Sequence, residues 1–142
     1  MKALGRQLLV ELYDCDSDRI NDTKSVQKAM IDATEQSGAT IVNTDFHEFS
    51  PYGISGVIVI AESHISIHTW PEYNYAAVDV FTCGEHIDPW IIQEALKNYF
   101  KSDTVSSMEV KRGLFKTQPG QDLPFKADES SVLGEHTRKY SS

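Results

Sequence analysis

The sequence predicts an α+β fold, a two-layer sandwich in which helices cover one face of a mainly antiparallel sheet. Three observations lead to this prediction. Strand-like segments outnumber helical ones, most of them follow one another through short connections, and both helical segments carry a single apolar stripe. Short connections favour antiparallel neighbours, because parallel neighbours need a long crossover. The apolar stripes need a sheet face to cover, which gives two layers.

The first half of the chain predicts a strand, a helix and a second strand. Residues 4–13 alternate weakly and form the first strand, and a polar turn follows. Asp22 or Thr23 can cap a helix that runs to about Ser37, where a glycine follows as a stop signal. The apolar stripe of this helix comprises Val26, Ala29, Met30 and Ala33. Residues 39–46 predict the second strand.

The second half predicts four more strands and one more helix. A loop with two aromatic residues, 47–53, comes first. Asp88 followed by Pro89 predicts a helix start, because Asp caps helices and Pro fits their first position, and this helix runs to about Lys101. The segments predicted as strands are 54–61, 64–70, 75–82 and 104–110. The element order is therefore β-α-β-β-β-β-α-β.

Length and charge restrict the class of protein. A chain of 142 residues fits one domain. Its 13 basic and 21 acidic residues give a net charge of −8, which argues against binding to nucleic acid or to an anionic membrane. No apolar run approaches the ~18 residues that a membrane span needs. The N-terminus has no signal-peptide pattern, so we expect a cytoplasmic protein.

The composition changes after Arg112 and predicts a domain boundary. Residues 1–114 are expected to form the folded domain. Residues 115–142 are rich in proline, glycine and polar side chains, and we expect them to form a flexible tail.

The stretch 62–72, Glu-Ser-His-Ile-Ser-Ile-His-Thr-Trp-Pro-Glu, is the most unusual part of the chain. It follows the apolar run 57–61 and alternates, so Ser66, His68 and Trp70 share one strand face. An ordinary core does not gather polar and aromatic groups in this way. Histidines, hydroxyls, an indole and carboxylates can attack, move protons and hold a planar ligand, so this strand is a candidate site.

Two common kinds of site do not fit this stretch. His64 and His68 have the spacing of a metal pair on a helix, but on a strand these positions lie ~13 Å apart, so we expect no metal. Ser63 lacks the Gly-x-Ser-x-Gly frame of a serine hydrolase. His68 alone could be a hydrogen-bonded structural residue. The interpretation as a site depends on a group of residues, Ser63, His68, Trp70, Glu72 and Cys83.

A second motif, Phe81-Thr82-Cys83-Gly84, follows the motif at 62–72. Together the two motifs closely resemble those of the S-adenosylmethionine decarboxylases of the short prokaryotic type. The resemblance covers roughly residues 3–112. Residues 5–9 are similar to the family's first strand, although His is expected there in place of Gln7. The resemblance implies a proenzyme that cuts itself.

The resemblance assigns a role to each residue of the self-cleavage. It places the cut between Glu62 and Ser63, where a strained turn would help. The Ser63 hydroxyl attacks the Glu62 carbonyl, Ser55 assists, and His68 removes the Ser63 α-proton. Residue 63 then becomes a pyruvoyl group, which serves as the internal cofactor without a metal.

The resemblance also implies how the mature enzyme works. The pyruvoyl ketone forms a Schiff base with the substrate amine and acts as an electron sink during loss of CO2. Cys83 corresponds to the proton donor. A thiol, with a reference pKa near ~8.5, is largely protonated at neutral pH and can donate. Cys15 corresponds to no catalytic position and is expected to pack in the core.

The implied reaction converts S-adenosylmethionine to decarboxylated S-adenosylmethionine, the aminopropyl donor for spermidine synthesis, and CO2. Phe49 and Trp70 are candidates for holding the adenine and the sulfonium, and Glu72 for accepting ribose hydroxyls. The short members of the family pair, and the uncovered sheet face also fits a homodimer. Phe49 and Ser55 could then serve Ser63 of the partner subunit.

Two other functions stay open on the sequence. A pyruvoyl-dependent arginine or ornithine decarboxylase would use the same scaffold, and the processing residues do not separate it from the first hypothesis. A non-catalytic regulatory relative is the other alternative, and the intact Ser63, His68 and Cys83 argue against it.

Overall fold

A computed structural model describes residues 2–116, which form a six-stranded sheet and three α-helices. The strands are β1 (Lys2–Tyr13), β2 (Ile41–Glu48), β3 (Ile54–Ile60), β4 (Ser63–Trp70), β5 (Tyr75–Cys83) and β6 (Thr104–Phe115). The helices are α1 (Ser17–Ile20), α2 (Thr23–Gln36) and α3 (Pro89–Tyr99), and a short 3-10 helix covers Pro71–Tyr73. The predicted α+β fold is confirmed. Of the tail expected at residues 115–142, Phe115 belongs to β6, and residues 117–142 lie outside the described residues.

The sheet has the strand order β2-β3-β4-β5-β1-β6, and every neighbouring pair is antiparallel. β2 to β5 follow one another directly, as their short connections predict. The helices supply the two crossovers, since α1 and α2 connect β1 to β2, and α3 connects β5 to β6. β1 therefore lies inside the sheet, next to the strand that carries Cys83.

Three local elements differ from the prediction. The turn expected after β1 contains the one-turn helix α1, whose first backbone amides donate to the Asp16 side chain. The Pro71–Tyr73 helix ends at Asn74, which has a left-handed φ of 53°. β6 continues to Phe115 rather than ending at 110, because β1 offers it pairing partners along its whole length.

The predicted helices and their caps are confirmed. Asp22 caps α2 by accepting from the Lys24 amide, and Asp88 caps α3 by accepting from the Trp90 amide. Both helices lie on the same face of the sheet and bury their apolar stripes there. The core includes Leu8, Val10, Leu12, Met30, Ile58, Ile65, Ile67, Val78, Val80, Ile92, Leu96 and Phe100. Cys15 belongs to it as expected, and burial raises the pKa of its thiol to about 11. Within residues 2–116, none of the helices combines the length and apolar character required to cross a membrane.

No helix of residues 2–116 lies over the other face of the sheet, which we call the open face. Facing positions of antiparallel strands share one side, so the pairing register identifies its side chains. They include Gln7, Leu9, Glu11, Ser55, Val57, His64, Ser66, His68, Trp70, Tyr75, Asp79, Phe81, Met108, Val110 and Arg112. Polar and apolar residues mix, and Leu9, Met108 and Val110 are 41%, 62% and 39% exposed.

Candidate active site

The connection between β3 and β4 is a two-residue turn that contains the residue before the expected cut. Ile60 pairs with Ser63, so Ala61 and Glu62 form the turn. Glu62 has a φ of +79°, in the left-handed region. A side chain with a Cβ in this region costs roughly 1–2 kcal/mol, and this turn position ordinarily carries Gly or Asn. Backbone strain is thus placed directly before the Glu62–Ser63 bond.

Ser63 begins β4 next to the end of β5. It is half-buried. The register between β4 and β5 has His64 opposite Phe81. Continued by one step, this register places Ser63 opposite Thr82, the residue before Cys83. The electrostatic influence of the Glu62 carboxylate on the Cys83 thiol agrees with this arrangement. The structure thus brings Glu62, Ser63 and Cys83 to one end of the sheet.

Cys83 lies over a glycine that gives its thiol room. Gly5 pairs with Cys83, and a Cβ at position 5 would lie 2.7 Å from Cys83 Sγ. The Cys83 residue is 9% exposed. Burial raises its pKa above the ordinary value and the Glu62 carboxylate raises it further, while Arg112 opposes the shift. The thiol is therefore protonated at neutral pH, as a proton donor must be.

Ser55 and His68 form a hydrogen-bonded pair at the other end of β4. The Ser55 Oγ and His68 Nδ1 atoms are 2.7 Å apart, across the β3–β4 register that places the two residues opposite each other. His68 is exposed on the open face, and its ring lies 6.3 Å from the Trp70 ring. This pair has the geometry of a base whose ring is oriented by a hydroxyl.

A cleft of about 310 Å³ adjoins this pair. Its lining contains all three predicted substrate-binding residues, Phe49, Trp70 and Glu72, together with Ser55 and His68. The other lining residues are Tyr52, Gly53, Ile54 and Thr69. Trp70 stacks on Tyr75 with a centroid distance of 5.3 Å, and Phe49 makes an edge contact with His47 at 4.5 Å. The cleft is therefore lined by two aromatic side chains, each in contact with one neighbouring ring, and by the Glu72 carboxylate.

The predicted site residues fall into two groups that do not meet within one chain. Ser63 and His68 lie at opposite ends of the same strand. Five residues of strand span roughly 16 Å, and His68 cannot cross this distance to the Ser63 α-proton. The predicted cut and the Cys83 thiol lie at the Ser63 end of β4, and the predicted base and the aromatic residues lie at the cleft.

A polar network that the sequence reasoning missed crosses the open face near Cys83. Gln7 Nε2 donates to Asp79 Oδ1 at 2.5 Å, and Arg112 Nη1 donates to Gln7 Oε1 at 3.1 Å. His64 Nε2 lies 3.5 Å from Asp79 Oδ2, and Arg112 stacks over Phe81 with 4.4 Å from Cζ to the ring centroid. These residues come from four strands, so no local motif could reveal the network. It places the Arg112 guanidinium where it acts on the thiol.

His64 and His68 lie four residues apart on the same strand, β4. Within the described part of the chain, no group of three or more His, Cys, Asp or Glu side chains is placed to hold a metal ion.

The family profile, the relatives and the solved structure that match this chain all carry the same family name. A family profile described as S-adenosylmethionine decarboxylase matches residues 6–113. The chain is 48% identical over 133 residues to an S-adenosylmethionine decarboxylase proenzyme of Fervidobacterium nodosum, covering 93% of this chain and 97% of the relative. It is 49% identical over 128 residues to the proenzyme of that name from Thermotoga maritima, covering 89% and 98%. The crystal structure of the adenosylmethionine decarboxylase from Aquifex aeolicus superimposes with a TM-score of 0.79 at 30% identity, covering 85% of this chain and 100% of that one.

Proposed function

The chain belongs to the S-adenosylmethionine decarboxylase family, and from this membership we propose that it cuts itself before Ser63 and decarboxylates S-adenosylmethionine. The family's enzymes are made as proenzymes and depend on a pyruvoyl group. The observation that carries the assignment to these residues is the left-handed Glu62 immediately before Ser63, with the Cys83 thiol beside it.

The strained turn supports self-cleavage at the Glu62–Ser63 bond. Ser63 Oγ forms a bond to the Glu62 carbonyl carbon, the bond from that carbon to the Ser63 nitrogen breaks, and the Oγ proton ends on that nitrogen. A base then removes the Ser63 α-proton, and the bond from Cβ to Oγ breaks to release the Glu62 carboxylate. Water finally replaces the nitrogen, which leaves as ammonia. Release of the turn strain favours the first of these steps.

The surroundings of Ser63 fit a pyruvoyl group. Residue 63 is half-buried at a strand end, so it can become a new N-terminus without unpairing the rest of β4. The pyruvoyl group supplies an electron sink for decarboxylation of an amine substrate. Cys83 contributes the proton that the substrate α-carbon needs after CO2 leaves, because its buried thiol is neutral.

The cleft supports a substrate with an adenine and a sulfonium. Phe49 and Trp70 are 48% and 39% exposed, so their faces are accessible to a planar base or to a cation. Tyr75 holds Trp70 by stacking, and its hydroxyl donates to Glu11. Glu72 is exposed on the cleft lining and provides an acceptor for ribose hydroxyls.

The separation of Ser63 from His68 supports a homodimer with the site between the subunits. The open face leaves Leu9, Met108 and Val110 substantially exposed. A two-fold interface contacts itself, so pairing of two open faces can place the cleft end of one β4 against the Ser63 end of the other. Ser63 would then be served by Ser55 and His68 of the partner subunit.

The remaining features of the chain agree with a cytoplasmic enzyme of one domain. Cys15 and Cys83 are both free thiols, which supports a reducing compartment. We propose residues 1–114 as the self-processing domain. The three strands that carry Ser55, Ser63 and Cys83 are β3, β4 and β5, and all lie within it.

A substrate panel tests the proposed reaction. The purified full-length protein should release CO2 from S-adenosylmethionine, and not from arginine or ornithine at the same concentration. The Ser63→Ala variant is the matched control and should release none, because alanine cannot form a pyruvoyl group. Release from arginine or ornithine, but not from S-adenosylmethionine, would show that the pocket assignment is wrong.

A further inference from the structure

Thr82 carries a buried hydroxyl that has no hydrogen-bond partner among the described residues. The residue is 1% exposed, and its Oγ1 atom is shielded from solvent. The helix-facing residues before it on β5 are Ala76, Val78 and Val80. A valine would continue this pattern with nearly the same shape. A buried unpaired hydroxyl is destabilising relative to an apolar group, so the stability of the uncut chain does not explain the threonine.

The β4–β5 register, continued by one step, places Thr82 opposite Ser63. His64 faces Phe81 and Ile65 faces Val80, and the next step along both strands brings Ser63 to Thr82. Facing side chains of an antiparallel pair share one side, with Cβ atoms about 4.5–5.5 Å apart. Rotation of the Ser63 side chain about χ1 can therefore bring its hydroxyl to the unpaired Thr82 oxygen.

We propose that Thr82 is a positioning residue for self-cleavage. Its hydroxyl oxygen accepts a hydrogen bond from Ser63 Oγ–H and holds Oγ against the carbonyl carbon of Glu62. The inference rests on the proposed self-cleavage at Ser63 and deepens it. Thr82 gains and loses no atoms in this step, since the Oγ proton ends on the Ser63 nitrogen.

The position of Thr82 distinguishes it from the other buried unpaired groups. The Thr23 hydroxyl and the Gln93 side-chain oxygen also lack partners among the described residues. They lie on α2 and α3, away from the turn between β3 and β4. Thr82 combines an unpaired hydroxyl with the position opposite the nucleophile. Thr23 provides a matched control, because its change to valine removes an equivalent hydroxyl elsewhere.

The test follows the rate of self-cleavage in full-length chains made by cell-free translation. Thr82→Val should cut roughly 10- to 100-fold more slowly than the wild type, the effect of a misplaced reacting group. Thr82→Ser, which keeps the hydroxyl, and Thr23→Val should cut at close to the wild-type rate. In a Ser63→Ala background, Thr82→Val should melt at the same temperature as Thr82→Ser or higher.

Hydroxylamine identifies the step that Thr82→Val slows, because it cleaves an ester and leaves an amide intact. We expect no hydroxylamine-dependent cleavage of Thr82→Val, since the attack of Ser63 is impaired before an ester forms. Rapid cleavage by hydroxylamine would place Thr82 at a later step and overturn the inference. A lower melting temperature than that of Thr82→Ser would also overturn it, by showing a structural role. A wild-type chain that cuts no faster than Thr82→Val overturns the role of Thr82 alone, whereas a wild-type chain that never cuts overturns the proposed function.

Discussion

At the scale of single residues, the position of the Cys83 thiol matters more than its identity as a cysteine. Cys15 is also buried and has a raised pKa, yet it lies in the core away from the turn. Cys83 lies at a strand end, over a residue without a side chain and beside the carboxylate of Glu62. Two buried thiols therefore differ in what surrounds them, and only Cys83 has the surroundings of the proposed proton donor.

Removal of the thiol should separate turnover from processing. Cys83→Ala should still cut at least partly, because the proposed nucleophile is Ser63 Oγ and not the thiol. It should lose about 10²–10⁴-fold in turnover of S-adenosylmethionine, and protons returned to the wrong carbon should convert residue 63 to alanine. The measurement is CO2 release alongside the mass of the 63–142 fragment. Near-normal turnover with an unchanged pyruvoyl group would assign the proton donor to another residue, with His68 as the first to examine.

Turnover of the wild type should also persist into alkaline solution. The thiolate cannot donate a proton, and burial and Glu62 disfavour the thiolate. The rate should therefore fall only as the pH rises through a thiol pKa above the ordinary value.

Gly5→Ala should disturb the thiol through a steric contact. The added Cβ would lie 2.7 Å from Cys83 Sγ and 2.9 Å from the Thr82 carbonyl oxygen, so the thiol must move. We expect turnover to fall at least about tenfold, since small displacements of reacting groups have large effects. A double-mutant cycle is the control. The same fold-loss in a Cys83→Ala background would show that Gly5 acts through the backbone rather than through the thiol.

At the scale of elements, the turn between β3 and β4 combines regular pairing with local strain. β3 and β4 pair continuously up to Ile60 and Ser63. The two residues that remain must reverse the chain, and one of them takes a left-handed φ. The regular hairpin therefore holds the strained residue in place.

Substitutions at Glu62 should report this strain. In an uncut Ser63→Ala background, Glu62→Asn should be more stable than Glu62→Val by about 1 kcal/mol, because Asn tolerates the left-handed region and a β-branched residue does not. Both variants remove the charge, so chemical denaturation of the pair isolates the backbone effect. The same two changes at Ala61, which does not have a positive φ, are the control. Equal stabilities of the two Glu62 variants would argue against strain at the turn.

Pattern reasoning captured elements whose signals are local. An apolar run identified β3, alternation identified β4 and β5, and the Asp88-Pro89 pair identified the start of α3. The extension of β6 to Phe115 depends on pairing with β1, a contact between the two ends of the described chain. The approach of Arg112 to Gln7 and of Gly5 to Cys83 depends on the same register. The motif also gave no sign that Ser63 and His68 are far apart. Residues only five positions apart in sequence lie roughly 16 Å apart when the segment is a strand.

At the scale of the whole molecule, the proposed site is incomplete in a single subunit. The proposed base, His68, and the proposed nucleophile, Ser63, lie at opposite ends of β4, and the open face between them has no cover within residues 2–116. A second subunit would bring a base to Ser63 and would also cover the open face. Sedimentation of the active enzyme should accordingly show a dimer, and a fully active monomer at assay concentration would rule this arrangement out.

Co-expression of two inactive chains tests whether the site is shared. Ser63→Ala has a base but no nucleophile, and His68→Ala has a nucleophile but no base. If His68 serves Ser63 of the partner subunit, the His68→Ala chain should be cut when the two chains are co-expressed with different affinity tags. Each variant expressed alone is the control and should stay uncut. Cleavage of neither chain in a purified mixed dimer would indicate that His68 acts within its own chain.

The most direct test of the central claim is the intact mass of the purified full-length protein. Self-cleavage predicts two fragments, residues 1–62 with a free carboxylate on Glu62, and residues 63–142 with a pyruvoyl group in place of Ser63. Ser63→Ala should give one chain with the mass of the whole sequence. An enzyme that decarboxylates S-adenosylmethionine at full rate while remaining one uncut chain would contradict the account.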